Sequence, residues 1–67
     1  MLRIESEREE DGRWIAEVPT LPGVVSYGAT EAEAQTKVQA LALRVFADRL
    51  ENGEPLPHEI AAMFEAA

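Results

Sequence analysis

The side chains in this sequence most suited to catalysis or metal binding are a single histidine and a run of carboxylates. His58 is the only histidine, and there is no cysteine. A nucleophilic mechanism needs a Ser, Thr or Cys beside a base, and a metal centre needs several ligands. One imidazole in a Pro-rich link supplies neither, so we interpret His58 as a surface residue in the first turn of a short helix. We therefore expect neither an enzyme nor a bound cofactor.

The carboxylates Glu5, Glu7 and Glu9 alternate with other residues just before Glu10 and Asp11. Alternation sends the first three to one face of a strand, without the loop geometry that gathers oxygen ligands around calcium. The pattern is typical of a solvated strand face and does not indicate a metal site.

The charge of the chain limits the partners it can bind. Of its 67 residues, 13 are acidic and 6 basic, which gives a formal charge of −7. This charge repels phosphate backbones and anionic headgroups, so we expect no direct binding of DNA or membranes and favour a basic protein partner. No apolar run approaches the roughly 18 residues of a membrane span, and the acidic start is unlike a signal peptide. We predict a cytoplasmic protein.

The elements that must position these side chains are three strands and a long helix. Alternation predicts strands at residues 2–9 and 13–18, joined by a hairpin at Asp11-Gly12, and an apolar run predicts a third at residues 24–27. Trp14 shares a face with Ala16 and Val18, which indicates an aromatic anchor of the core. Gly23 and Gly28 are interpreted as turn residues.

The helix is predicted from residue 31 to about residue 52. Thr30 is a typical N-cap with Glu33 three residues later, and Asn52-Gly53 is a typical stop. Beside the stripe that would cover the sheet, Leu43, Phe46 and Leu50 form a second stripe, which we interpret as a self-interface. The apolar residues of the tail recur at helical spacing after Pro57, which predicts a short C-terminal helix. The fold class is thus α+β, a three-stranded antiparallel sheet packed on one long helix.

Several short motifs follow one another in a set order over residues 10–34. The stretches run from Glu10 to Pro19, from Leu21 to Thr30, and on to Glu33-Ala34. They carry D-G-x-[WY]-x-A on a strand, an L-P-G turn, a second Gly, and a Thr and Glu-Ala that open a helix. This ordered set resembles the N-terminal domain of HicB-type antitoxins. The resemblance covers about residues 2 to 50, and we expect a single such domain over residues 1–67 without the C-terminal DNA-binding domain of longer members.

The resemblance implies a partial RNase H-like fold that serves as an antitoxin. Such a domain would bind and mask a small basic ribonuclease toxin of the HicA type, which the negative charge of this chain suits. Glu5, Glu7 and Glu17 are then the candidate partner-binding residues. Family members tend to add a fourth strand after the helix, whereas residues 58–67 here favour a helix.

The sequence leaves two alternative functions open. The first is a solitary homo-oligomer with a structural or regulatory role and no toxin, held together by Leu43, Phe46, Leu50 and the tail. The second is an RNA-processing enzyme of RNase H-like ancestry, which would require clustered metal-binding carboxylates at neighbouring strand ends. The sequence shows no such cluster, so this alternative ranks last.

Overall fold

A computed structural model describes residues 2–67 and confirms the predicted α+β architecture. The elements, in chain order, are β1 (Glu5–Arg8), β2 (Trp14–Glu17), β3 (Val25–Gly28), α1 (Glu31–Glu51) and α2 (His58–Ala61). The strands form one antiparallel sheet in the order β1-β2-β3. One face of the sheet is covered by α1, which packs mainly on β3 and β2 and less on the edge strand β1.

The hairpin between β1 and β2 forms at the predicted glycine. The Gly12 N–H donates to the Glu9 carbonyl at 3.0 Å, and the Glu9 N–H donates to the Arg13 carbonyl at 2.7 Å. Gly12 has φ +92°, a left-handed conformation that a side chain disfavours. The result is a short hairpin loop closed by a positive-φ glycine, which is a common alternative to the two-residue turn.

The connection from β2 to β3 contributes to the core as well as to the turn. The Val18 N–H donates to the Val24 carbonyl at 3.1 Å, and Leu21 is bonded through its backbone to both of these residues. All three side chains are buried. Gly23 has φ +86°, so its predicted role in the turn is confirmed.

The boundaries of α1 agree with the capping signals in the sequence. The Glu33 N–H donates to the Thr30 hydroxyl at 3.1 Å, and Asn52 is the C-cap before Gly53, at φ +78°. The Glu33 carboxylate pairs with Lys37 one turn along, at 3.0 Å. The hydrogen bond from Lys37, with its positive charge, lowers the pKa of Glu33.

The aromatic residue of the buried core is Phe46, whereas Trp14, the predicted aromatic anchor, packs against this core without being buried in it. Phe46 is 4% exposed, whereas Trp14 is only partly buried and packs against the outside of the core. The buried apolar side chains come from β2, the β2–β3 connection and α1: Ala16, Val18, Leu21, Val24, Ala34, Val38, Ala42 and Phe46. Trp14 is the first residue of β2 and lies opposite Gly28, at an end of the sheet.

Gly28 has a different role from the predicted one. It is a buried strand residue whose φ is not positive, so no turn requires it. A Cβ at this position would lie 2.6 Å from the Ala34 backbone N and 3.0 Å from the Glu33 carbonyl carbon. Gly28 therefore allows β3 to approach the first turns of α1 closely.

The tail forms the predicted helix only in part. Leu56 and Ile60 pack against the core, but Met63 and Phe64 lie beyond α2 and are 76% and 75% exposed. The molecule measures 47 × 20 × 16 Å. Its radius of gyration is 13.6 Å, whereas a compact chain of this length has about 11 Å.

Candidate protein-binding surface

The face of the sheet opposite α1 is exposed and carries most of the strand carboxylates. Because side chains alternate along a strand, the neighbours of the buried Ala16 point away from the core. The residues on this outer face are Glu5, Glu7, Ile15, Glu17, Val25 and Tyr27. We call them the acidic sheet face.

The strand register brings the three predicted glutamates together around one apolar side chain. Glu5 lies directly opposite Glu17, and Glu7 lies opposite Ile15, which in turn faces Tyr27. The glutamates and Ile15 line a shallow depression of about 220 Å³. The placement of Glu5, Glu7 and Glu17 on one face is thus as expected, while their role in binding stays a prediction.

Two basic residues near the acidic sheet face, Arg3 and Arg13, have partners within the chain. The Arg13 guanidinium lies 4.9 Å from the ring centroid of Tyr27 and donates to Asp11 at 2.8 Å. The hydrogen bond from the Arg13 backbone N–H is the main cause that lowers the pKa of Asp11, and the hydrogen bond from the Arg13 guanidinium lowers it further. Arg3 approaches Glu5 at 3.7 Å, but both side chains are well exposed, which makes the attraction weak. The depression therefore keeps its negative charge.

Glu17→Gln is expected to stabilise the free protein by up to about 1 kcal/mol, since like charges directly opposite in a sheet destabilise it by this order. The free energy of unfolding in urea measures the change. Glu54→Gln is the matched control, because it removes one charge from an exposed residue outside the sheet. Equal effects of the two substitutions would mean that only net charge matters.

The described part of the chain contains no arrangement suited to catalysis by a metal. Among residues 2–67, no group of three or more His, Cys, Asp or Glu side chains is placed to hold an ion. His58 is exposed at the start of α2, as predicted. Within the same residues, no helix has the length and apolar character needed to cross a membrane. The chemistry that the acidic sheet face offers is recognition of a positively charged surface.

The three predicted self-interface residues do not lie together on the surface. Leu43 and Leu50 are 59% and 58% exposed, but Phe46 is buried between α1 and the sheet. One edge of Phe46 still lines an apolar groove of about 210 Å³ between α1 and the tail. Phe46 is therefore a core residue of the single chain, and only the two leucines are free to make an interface.

Comparison with known proteins finds no relative of this chain. No family model, no curated protein and no solved structure matches the chain. The HicB-type resemblance thus rests on the motifs themselves, and the function has to be inferred from the surface.

Proposed function

We propose that this protein is a non-catalytic binding module that neutralises a small basic ribonuclease of the HicA type by covering its RNA-binding surface. The observation that supports it is the acidic sheet face, where Glu5, Glu7 and Glu17 surround Ile15. A nuclease that binds RNA presents positive charge, and this face competes for that charge without offering any group that cleaves RNA.

The composition of the acidic sheet face suits such a partner in two ways. Its glutamates attract a basic surface over several ångströms and raise the rate of encounter. Ile15, Val25 and Tyr27 supply apolar area between and beside the carboxylates, which favours a slow dissociation once water is excluded. Covering the opposed Glu5 and Glu17 with a cation would also relieve their mutual repulsion.

Reversal of the three charges tests this proposal. We expect Glu5→Lys, Glu7→Lys and Glu17→Lys together to slow association with a HicA-type nuclease by about tenfold or more at low salt. The dissociation rate should rise less, because apolar contacts hold the complex. For the wild-type protein, association should slow as salt rises, since screening shortens to about 8 Å at physiological ionic strength. Surface plasmon resonance measures both rates.

The control is a second triple variant, Asp48→Lys, Glu54→Lys and Glu65→Lys, which makes the same change in net charge outside the sheet. It should change association much less. If both triple variants associate equally slowly, long-range net charge and not the acidic sheet face governs binding. A wild-type chain that neither binds nor inhibits a basic nuclease encoded beside it would contradict the proposal.

A second candidate is a homo-oligomeric structural or regulatory protein with no nuclease partner. The exposure of Leu43 and Leu50 favours self-association. The two candidates differ in a simple observation, which is whether the adjacent reading frame encodes a short basic chain that co-purifies with this one.

A further inference from the structure

The helix α1 has a second apolar face on the side away from the sheet. Its residues are Ala40, Leu43, Ala47 and Leu50, all exposed and spaced by three and four residues in alternation. This is the spacing of the contact positions in a coiled coil, where apolar residues recur every 3.5 residues on average. We call these four residues the outer helix face.

The exposed area of the chain is larger than a monomer of its size requires. A compact monomer of 7.4 kDa exposes about 4,200 Å², whereas this chain exposes 5130 Å². The excess is about 900 Å², and each partner in a standard protein interface covers about 800 Å². One further chain packed on this molecule would therefore account for the excess.

We propose that a second copy of this chain covers the outer helix face, with the two α1 helices packed antiparallel about a two-fold axis. In this arrangement Ala40 packs against Leu50 of the second copy, and Leu43 packs against Ala47 of the second copy. Each layer combines one small and one large side chain, which allows helix axes to approach to about 8 Å. A symmetric interface must be self-complementary. The alternation of small and large side chains along α1 meets this requirement.

The charges beside the outer helix face fit the same antiparallel arrangement. Lys37 and Glu51 lie along one side of the face, near opposite ends of α1. When the helices are antiparallel, Lys37 lies beside Glu51 of the second copy, and the axis generates this pair twice. In a parallel dimer Glu51 would lie beside the uncharged Phe46 of the second copy instead, so the charge pair with Lys37 would not form. Arg44 lies near the axis, and Asp48 one turn along limits the repulsion there.

The tail continues the apolar surface on the other side of the outer helix face. Leu43, Leu50 and Phe64 all line the groove between α1 and the tail. Phe64 and Met63 are the most exposed large apolar residues among those that the structure describes. A second copy on α1 would cover this groove as well as the two leucines.

The dimer does not depend on the proposed inhibition of a nuclease. The outer helix face and the acidic sheet face lie on opposite sides of the molecule, because α1 packs on the other face of the sheet and carries the outer helix face on its far side. Loss of one binding function by substitution therefore leaves the other measurable.

Sedimentation equilibrium of the purified chain at micromolar to millimolar concentration tests the proposal. We expect the wild type to have twice the chain mass of 7.4 kDa. Leu43→Asp combined with Leu50→Asp should give the monomer mass, with an unchanged circular dichroism spectrum because both side chains are already exposed. A wild-type chain that stays monomeric over the whole range would overturn the proposal. If the wild type is monomeric and the leucine variant also loses nuclease binding, the outer helix face binds the nuclease and not a second copy.

A charge exchange tests the antiparallel arrangement. Lys37→Glu and Glu51→Lys should each weaken dimerisation by about tenfold, because two pairs become repulsive in each case. The double variant should recover most of the wild-type dissociation constant. Because Lys37 also pairs with Glu33 in its own chain, Glu33→Gln serves as the control and should leave dimerisation unchanged. A double variant weaker than either single variant would contradict the arrangement.

Discussion

Phe46→Ala is expected to leave a large fraction of the protein unfolded at room temperature. Phe46 is 4% exposed and packs among the buried side chains of α1 and the sheet. Removal of a buried aromatic ring costs about 3–5 kcal/mol, through the lost burial and the cavity that remains. A domain of this length has a total stability of about 3–10 kcal/mol. The loss is therefore comparable with the whole free energy of unfolding, which urea titration by circular dichroism measures.

Leu43→Ala is the control for this effect. Leu43 also lies on α1 but is 59% exposed. At protein concentrations too low for self-association, its truncation should change stability by no more than about 0.5 kcal/mol. If Phe46→Ala changed stability as little as Leu43→Ala, Phe46 would belong to the surface and the predicted self-interface would again include it.

Gly28→Ala is expected to be the most damaging single-methyl substitution in the chain. The added Cβ would lie 2.6 Å from the Ala34 backbone N, and Ala34 is fully buried. Neither β3 nor the backbone of α1 can yield as a flexible side chain would. Overpacking of this kind costs about 3 kcal/mol or more, and the start of α1 should move away from β3.

Two measurements distinguish this clash from a general loss of glycine flexibility. Gly53→Ala is the control: it introduces a side chain at φ +78° with no atom within 4 Å, so it should cost only the backbone strain of about 1–2 kcal/mol. In addition, hydrogen exchange of the Ala34 amide, which donates to the Thr30 carbonyl, should accelerate in Gly28→Ala. If Gly28→Ala kept the stability and the Ala34 hydrogen exchange of the wild type, α1 and β3 would adjust freely to the added methyl group.

The sequence predicts the order and type of every element because each has a local signal. The Asp11-Gly12 hairpin, the Thr30 cap and the Asn52 stop depend on the backbone preferences of a few adjacent residues. The strands β1 and β2 are shorter than predicted, since pairing requires a partner and not only alternation, and β3 is shifted by one residue. Residues 2–4, for example, continue the pattern of β1 but lie outside it.

The roles of individual core residues are less accessible from the sequence because they depend on distances between elements. Gly28 looks like a turn residue until β3 and α1 are placed side by side. Trp14 lies on the correct face of β2 but at its end, where the helix covers it incompletely. Leu43 and Phe46 are close in sequence, yet the sheet covers only the second.

The acidic sheet face is predictable in part. Alternation alone places Glu5 and Glu7 on one side of β1, but the register of β1 with β2 decides that Glu17 lies opposite Glu5. The alternation of Arg13, Ile15 and Glu17 also places Ile15 on this side of β2. Tyr27 joins the face through the register of β3 with β2, which no local signal gives.

The sequential strand order also bears on how long the protein survives in a cell. Every pair in the sheet joins strands that are neighbours in the chain, from Arg8 with Trp14 to Trp14 with Gly28. Contacts so close in sequence close small loops, which favours fast folding. When refolding outpaces cleavage, proteolysis follows the equilibrium population of the unfolded chain. A partner or second copy that binds only the folded chain lowers that population. The lifetime of this protein should therefore rise and fall with the fraction of its chains that are bound.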